Sequence, residues 1–294
     1  MCRYAFLIFL LLLMIAAVQP ETNTAVDWLL NQQTENGGWS DGLSEHSGPG
    51  ITVDAVLALW ASGVVLSEFD PNPIAYLESY ANQNVTTLTP ALAARFAFVA
   101  VIADAEVENF GGVSLREVIF GESDEAFSGG VSLYEHCLMM TAAYAIDSSP
   151  PESVINYVIE NANQDGGWGF APGEVSDTVT TSMCMQALIA AEYSGEMLTS
   201  ALDYFRAVQN PDGGWIFRKP TDFSTETDAY ATASVIMALD AAGENLDDWN
   251  RPQDTLRGLQ TDSGAFVSPQ QNQLMATAQA VFALEGMNLL DVGK

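Results

Sequence analysis

The chain has 294 residues and a formal charge of −29, with 38 acidic side chains against 9 basic ones. Lys219 and Lys294 are its only lysines, so nucleic acid and anionic lipid, which need a cationic face, are poor partners. Hydrophobic residues make up 48% of the chain; that excludes a disordered protein and, at this length, implies one large domain or two small ones.

The first twenty residues, MCRYAFLIFLLLLMIAAVQP, read as a secretory signal. Arg3 gives the positive start, residues 5–17 the apolar run and Ala16-Ala17 a small-residue exit. The run is short for a membrane span, and an uncleaved N-terminal anchor is the alternative. The mature chain, residues 21–294, is therefore expected outside the cytoplasm, secreted or at the cell surface, with no membrane contact after cleavage. Its acidic coat suits a saline exterior and serves equally as a solubilising surface. Cys137 and Cys184 then remain. One bridge between them is possible in an oxidising compartment, but both fall in apolar helical stretches, and buried free thiols are expected.

Residues 24–33 carry apolar side chains at 25, 26, 29 and 30 beside Trp28, a helical stripe. Asn36-Gly37-Gly38 stops it, and Trp39 and a polar loop follow. Residues 51–62, closed by Gly63, are apolar nearly all round and so belong to a helix buried on every side. A second pair is expected over 73–82 and 90–104, each with proline in its first turn. A third covers 114–120 and 131–146, around a turn at 126–129. The fourth, 151–161 and 176–191, is joined by QDGGWGFAPGE. The fifth spans 197–209 and 225–242, and the sixth 246–260 and 271–285, joined by TDSGAF.

Six pairs at a period of roughly 40 to 50 residues fit a helical-repeat array. The first helix of each pair carries charges and aromatics (Asp27, Glu78, Asp203, Arg206, Arg257), whereas the second is rich in small and apolar residues. Charged helices face water and small-residue helices pack closely, so the expected fold is all-α: an α6/α6 toroid of two concentric rings. An open solenoid would need polar capping repeats, and the sixth inner helix, ATAQAVFALEGM, is as apolar as the fifth.

An aromatic lies 11 positions before the closing tryptophan at Trp28/Trp39, Tyr157/Trp168 and Tyr204/Trp215. A glutamine lies six before the closing aromatic at Gln33, Gln209 and Gln260. The pattern resembles the QW motif, Q-x3-G-x-W, of the terpenoid-cyclase and protein-prenyltransferase superfamily. The resemblance spans the mature chain, strongest over 151–284. In the fourth unit Ala162 takes the glutamine register, and units two and three have degenerated. Physically the motif is a clasp: the amide bonds exposed backbone, the glycines let the chain double back, and the indole covers the turn. Its role is stabilising.

The superfamily's triterpene cyclases protonate an alkene with the middle acid of an Asp-x-Asp-Asp motif at the start of an inner helix. Here Ser176, before Asp177, and Thr227, between Glu226 and Asp228, stand where that acid would be. A hydroxyl cannot deliver the proton, so the resemblance does not extend to that chemistry. Asp177 and Asp228 each open an inner helix, where a carboxylate caps free N–H groups; ligand contact at the ring mouth is the competing role. Asp54 lies inside the first inner helix by alignment back from Gly63, or in its first turn if the helix starts at Thr52 behind Pro49-Gly50, and the second reading is favoured. Prenyltransferase-type zinc is not expected. The only histidines are His46, in a loop, and His136, beside Cys137, and adjacent helical residues point apart. No cofactor is expected.

The inner-ring methionines (Met139, Met140, Met183, Met185, Met237, Met275) and Tyr134, Tyr144 and Tyr230 read first as core filling. The functional reading is an apolar pocket at the ring mouth containing Met183, Met237, Tyr230 and Asp54, rimmed by Thr225, Glu226, Asp228 and Asp177. Binding without catalysis resembles the use of this fold by extracellular cobalamin carriers. The first hypothesis is therefore a non-catalytic toroid binding a small apolar or amphipathic ligand (a corrinoid, an isoprenoid or a glycan) or a partner. A terpenoid-cyclase-like or carbohydrate-cleaving enzyme, with acids about 5 to 10 Å apart at the mouth, is the second, and a structural surface module the third.

Overall fold

The structure, a computed structural model, describes residues 20–40, 47–121, 127, 132–219, 225–269 and 272–294. The segment read as a signal, up to residue 19, lies outside them, as do His46 and most of the turn at 126–129. Twelve α-helices form six hairpins: α1 (Pro20–Asn31) with α2 (Pro49–Ala61), α3 (Pro73–Gln83) with α4 (Pro90–Ile102), α5 (Leu115–Phe120) with α6 (Leu133–Ala145), α7 (Glu152–Glu160) with α8 (Thr178–Ala190), α9 (Glu196–Val208) with α10 (Ala229–Ala241), and α11 (Pro252–Gly258) with α12 (Gln273–Leu284). No helix among the described residues is long and apolar enough to cross a membrane.

The even-numbered helices are buried on nearly every face. They pack in order α2–α4–α6–α8–α10–α12, and α12 packs back on α2. The odd-numbered helices bury a single stripe: α7 buries Val154 and Val158, and α9 buries Ala201, Tyr204 and Phe205 while Asp203 and Arg206 face water. The result is the closed α6/α6 toroid expected from the sequence.

The clasp is built from three recurring bonds. The closing residue's backbone N–H donates to an inner-helix threonine, Trp39 to Thr52, Trp168 to Thr181, Trp215 to Thr232 and Phe266 to Thr277, at 2.9–3.0 Å. The indole N–H donates to the end of the outer helix: Trp39 to Leu29, Trp168 to Val158 and Trp215 to Phe205. Glutamine ties its own turn to the next hairpin: Gln33 to Gly37 and Pro71, Gln209 to Gly213 and Trp249, Gln260 to Gly264 and Thr24. The last of these pairs joins residues 236 positions apart and closes the ring. The turn glycine backs onto the neighbouring outer helix. A Cβ on Gly166, at φ +86°, would lie 2.2 Å from the Ser200 carbonyl oxygen.

At the other end all six inner helices stop in the same way. A left-handed residue follows (Gly63, Asp104, Asp147, Glu192, Gly243 or Gly286), and the next N–H closes back five residues, as Tyr193 does on Leu188 and Val64 on Leu59. This is the Schellman cap. It is complete in hairpins two and three, where the sequence motif has decayed.

Four expectations need correction. Cys137 and Cys184 form a disulfide between α6 and α8, Cα atoms 4.8 Å apart, rather than two free thiols; facing positions on adjacent small-residue helices bring them within bonding reach. α10 starts at Ala229, not 225, because Thr227 is held by Asn210 and Asp212 and Asp228 is the extended N-cap. The stretch 246–260 is not one helix. A 3-10 turn (Leu246–Trp249) and α11 are separated by left-handed Asn250 and Arg251, which lets the Asn250 carbonyl back onto the Gly213 turn. α1 begins at Pro20, four residues before the expected start.

Two substitutions test these devices. Gly166→Ala is expected to lower stability by at least about 2 kcal/mol, since it combines a left-handed backbone with a clash against the next hairpin. Glu192→Gly, which removes a side chain from a left-handed C-cap, is expected to raise it by roughly 0.5–1 kcal/mol. Urea denaturation monitored by circular dichroism reads both, and opposite signs would show that the caps do not carry the strain assigned to them.

Candidate functional site

The inner ring surrounds a narrow throat. It is lined near the helix N-termini by Tyr134, Val179 and Tyr230 and deeper by Leu57, Phe98, Gln186 and Met237. Seven helical positions separate those levels, about 10 Å along the axis. The far end is closed by the C-terminal segment, where Leu289 lines the throat and its N–H donates to Gln186. Asn288 anchors that segment to Asp240. The space open to the centre of a water molecule is about 40 Å³, room for about three waters and far below the 300 Å³ or more of a drug-sized site.

Asp54 occupies the middle of this throat. It lies in the second turn of α2, which begins at Pro49; the first-turn reading is overturned because proline is at home at the start of a helix. Its carboxylate Oδ1 accepts from Arg95 of α4 and from Gln279 of α12 at 3.2 Å. Burial pushes its carboxyl up from the ordinary value, and the Arg95 charge and the hydrogen bonds from Arg95 and Gln279 pull it part of the way back. Burial works against the charge of Arg95 in turn, but Asp54, Tyr134 and Tyr230 outweigh it and hold the guanidinium above its usual range. Tyr134 and Tyr230 are hydrogen-bonded to one another across the throat, both hydroxyls pushed up chiefly by burial.

The structure brings together Asp54, Tyr230, Met183 and Met237, which all line the throat. Asp177, Asp228 and Glu226 do not line it. Asp177 caps α8 by accepting from Thr180 N–H at 2.7 Å, and Asp228 caps α10 by accepting from Ala231 N–H at 2.8 Å. Glu226 is exposed in the loop ahead of α10. Asp177 is 2% exposed, and burial raises its carboxyl to about 6 against the bonds from Thr180. Arg95 and Gln279 were missed: in the sequence each is a lone polar residue in a helix otherwise buried. Met139, Met140 and Met185 fill core. His136 is satisfied by the Ser132 carbonyl and rests on Tyr157. Among the described residues no group of three or more His, Cys, Asp or Glu is arranged to hold a metal.

The family described as prenyltransferase alpha-alpha toroid domain matches residues 2–119 and 130–273. The chain belongs to that family. Drimenyl diphosphate synthases of Streptantibioticus cattleyicolor and Streptomyces showdoensis are each 33% identical, over 87 and 94 residues, or 28% and 30% of this chain. Those segments span 16% and 18% of the two synthases. Three solved structures share the fold at low identity. The type II terpene cyclase MstE from Scytonema has a TM-score of 0.69 at 13% identity, over 90% of this chain and 96% of that one. A glycosidase variant has 0.67 at 10%, over 92% and 96%. Candida albicans protein geranylgeranyltransferase-I, complexed with GGPP, has 0.63 at 12%, over 90% of each. In this prenyltransferase-type toroid the throat holds a single carboxylate, bound to a guanidinium.

Two measurements test the electrostatics. Arg95→Leu leaves Asp54 buried without its partner and is expected to cost about 3 kcal/mol. Adding Asp54→Leu should recover most of it, and additivity of the two losses in a double-mutant cycle would refute the coupling. Asp177 is raised in the folded state, so it contributes stability below about pH 4 that is lost as pH rises through 6. Asp177→Asn keeps the cap and removes the buried charge. It should melt above wild type at pH 7.5, by up to about 3 kcal/mol, and converge with it near pH 4.

Proposed function

We propose that this toroid acts outside the cytoplasm, secreted or at the cell surface, and binds a small amphipathic ligand at the mouth of its ring without turning it over. The observation that carries the reading is the state of the central carboxylate. Asp54 is the one acid lining the throat, and Oδ1 already serves Arg95 and Gln279. A proton donor for an alkene must be a neutral carboxylic acid aimed at its substrate, and a guanidinium partner opposes that state. Carbohydrate cleavage by paired carboxylates needs a second acid facing the first, and Asp177 and Asp228 spend their oxygens on helix caps.

The throat is too small to swallow an isoprenoid or a corrinoid, so a ligand of either size engages the mouth. An isoprenoid is favoured among the candidates: fold neighbours include MstE in complex with geranylgeranyl dihydroxybenzoate and a geranylgeranyltransferase complexed with GGPP. The apolar run at residues 5–17, the acidic surface and the Cys137–Cys184 bridge support an extracellular site, since disulfides persist in oxidising compartments.

The competing reading is an acid-catalysed cyclase using Asp54, favoured by one observation: burial pushes that carboxyl up. One experiment separates them. The mature chain is screened by thermal shift against isoprenoids, glycans and corrinoids, and hits are incubated and analysed by mass spectrometry. A ligand recovered unchanged, with a raised melting temperature, is expected. A cyclised or hydrolysed product, lost in Asp54→Asn, would replace binding by catalysis, and no shift with any set would leave the structural module.

A further inference from the structure

Two buried polar atoms of the throat have no hydrogen-bond partner within the protein: Asp54 Oδ2 and Arg95 Nε. They sit on the two halves of one ion pair, which meets through Asp54 Oδ1 and an Arg95 terminal nitrogen. The pair therefore offers one free acceptor and one free donor to the cavity its side chains line. It offers no net charge, because Arg95 is already neutralised by Asp54. Leaving such atoms unsatisfied in a buried site is costly, so a head group that completes both is recognised by its hydrogen-bonding pattern rather than by its charge.

Above the throat the surroundings change character. Three clasp loops lean over the inner-helix N-termini, where Phe170, Phe217 and Val267 carbonyls accept from the N–H groups of Leu133, Thr178 and Ala229. Each of these donors directly precedes a residue at the throat's upper level, Tyr134, Val179 or Tyr230. The side chains the loops place there are apolar. Phe170 is 49% exposed and stacked on Tyr134, and Val175 and Val267 are 56% and 43% exposed. These are three of the most exposed large apolar side chains in the described chain, and they share one end of the ring. An apolar collar thus surrounds a narrow polar bore on a protein of net charge −29.

We propose that the bore takes the neutral head of an aliphatic molecule, a hydroxyl or primary amide that donates to Asp54 Oδ2 and accepts from Arg95 Nε–H, while its tail lies on the Phe170–Val175–Val267 collar. A carboxylate or phosphate head is disfavoured: it carries no proton for Asp54 and brings a second negative charge against it. The inference rests on the reading of the ring mouth as a binding site and adds the chemistry of the head group to it.

Isothermal titration at pH 7.5 with four probes of one tail length, 1-decanol, decanamide, decanoate and decyl phosphate, tests it. The alcohol and amide should bind at least about tenfold more tightly than either anion. Phe170→Ser, an exposed position expected to leave the melting temperature unchanged, should weaken the alcohol about tenfold. Asp54→Asn is informative where it melts like wild type and should then narrow the gap between neutral and anionic probes; Phe170→Ser carries the test where it does not. Anions binding as tightly as the alcohol, or an alcohol indifferent to Phe170→Ser, would overturn the proposal. Should no aliphatic probe bind while a glycan or corrinoid does, the head-and-tail inference fails and the binding function stands. If decanol binds but isoprenoids are converted to product, the inference stands and the non-catalytic reading falls.

Discussion

Everything in this molecule depends on the seam where the sixth hairpin meets the first. Gln260 reaches Thr24, Gln279 reaches Asp54, and Gly264 sits so close beneath the Thr24 carbonyl that a Cβ would lie 2.3 Å from it. A row of helical hairpins buries each inner helix only between its neighbours, and the first and last would otherwise expose an apolar face. α2 and α12 have no polar face to offer: Thr52 to Leu59 are buried without interruption, as are Ala280 to Leu284. Closure removes both ends at once, and it also makes the throat, since Asp54 and Gln279 meet only across that seam.

The clasp shows why such a ring needs so little sequence to hold its wall. An outer helix ends with unpaired carbonyls, and an inner helix begins with unpaired N–H groups. The tryptophan indole takes a carbonyl from the first, the extended residue ahead of the second accepts its own cap, and the inner threonine hydroxyl links the two by accepting from the tryptophan backbone. Asp177 shows the cost of the arrangement. Its carboxylate is well placed to cap α8, yet it is buried deeply enough that its carboxyl rises to about 6. Desolvation there outweighs the hydrogen bonds that favour the charged form.

The fold was legible because period and composition repeat. The turns NGGW, QDGGW, PDGGW and DSGAF sit between a charged stripe and a small-residue run, and a closed ring is the arrangement that buries the second kind throughout. Hairpins two and three, with no tryptophan, were still legible from their first-turn prolines and small-residue helices. The Schellman caps were not, because Asp104, Asp147 and Glu192 stand where glycine would announce the turn. The start of α10 was misjudged because Thr225 and Thr227 look like the head of a helix, and only the three-dimensional partners Asn210 and Asp212 show that Thr227 belongs to the loop.

The site was legible in part, for a definite reason. Tyr230, Met183, Met237 and Asp54 were picked because they interrupt or crowd an inner helix, a one-dimensional signal. Arg95 and Gln279 are equally conspicuous in their helices but acquire meaning only through Asp54, 41 and 225 positions away. Asp177, Asp228 and Glu226 were drawn in by their likeness to an acid motif, and the backbone claims the first two as caps. A buried charge in a helix-lined bore is tolerable only with a partner, so an aspartate inside an all-round apolar helix predicts a cation somewhere on the ring. With seven arginines and two lysines in 294 residues, that search is short. Lys219, Arg218, Arg206, Arg251 and Arg257 stand in loops or on outer elements, and Lys294 ends the chain. Arg116 is on outer helix α5, and Arg3 is in the N-terminal segment. Arg95 is the one cationic residue on an inner helix. Scarcity of positive charge, which first served to exclude nucleic acid and lipid, is also what identifies the partner of Asp54.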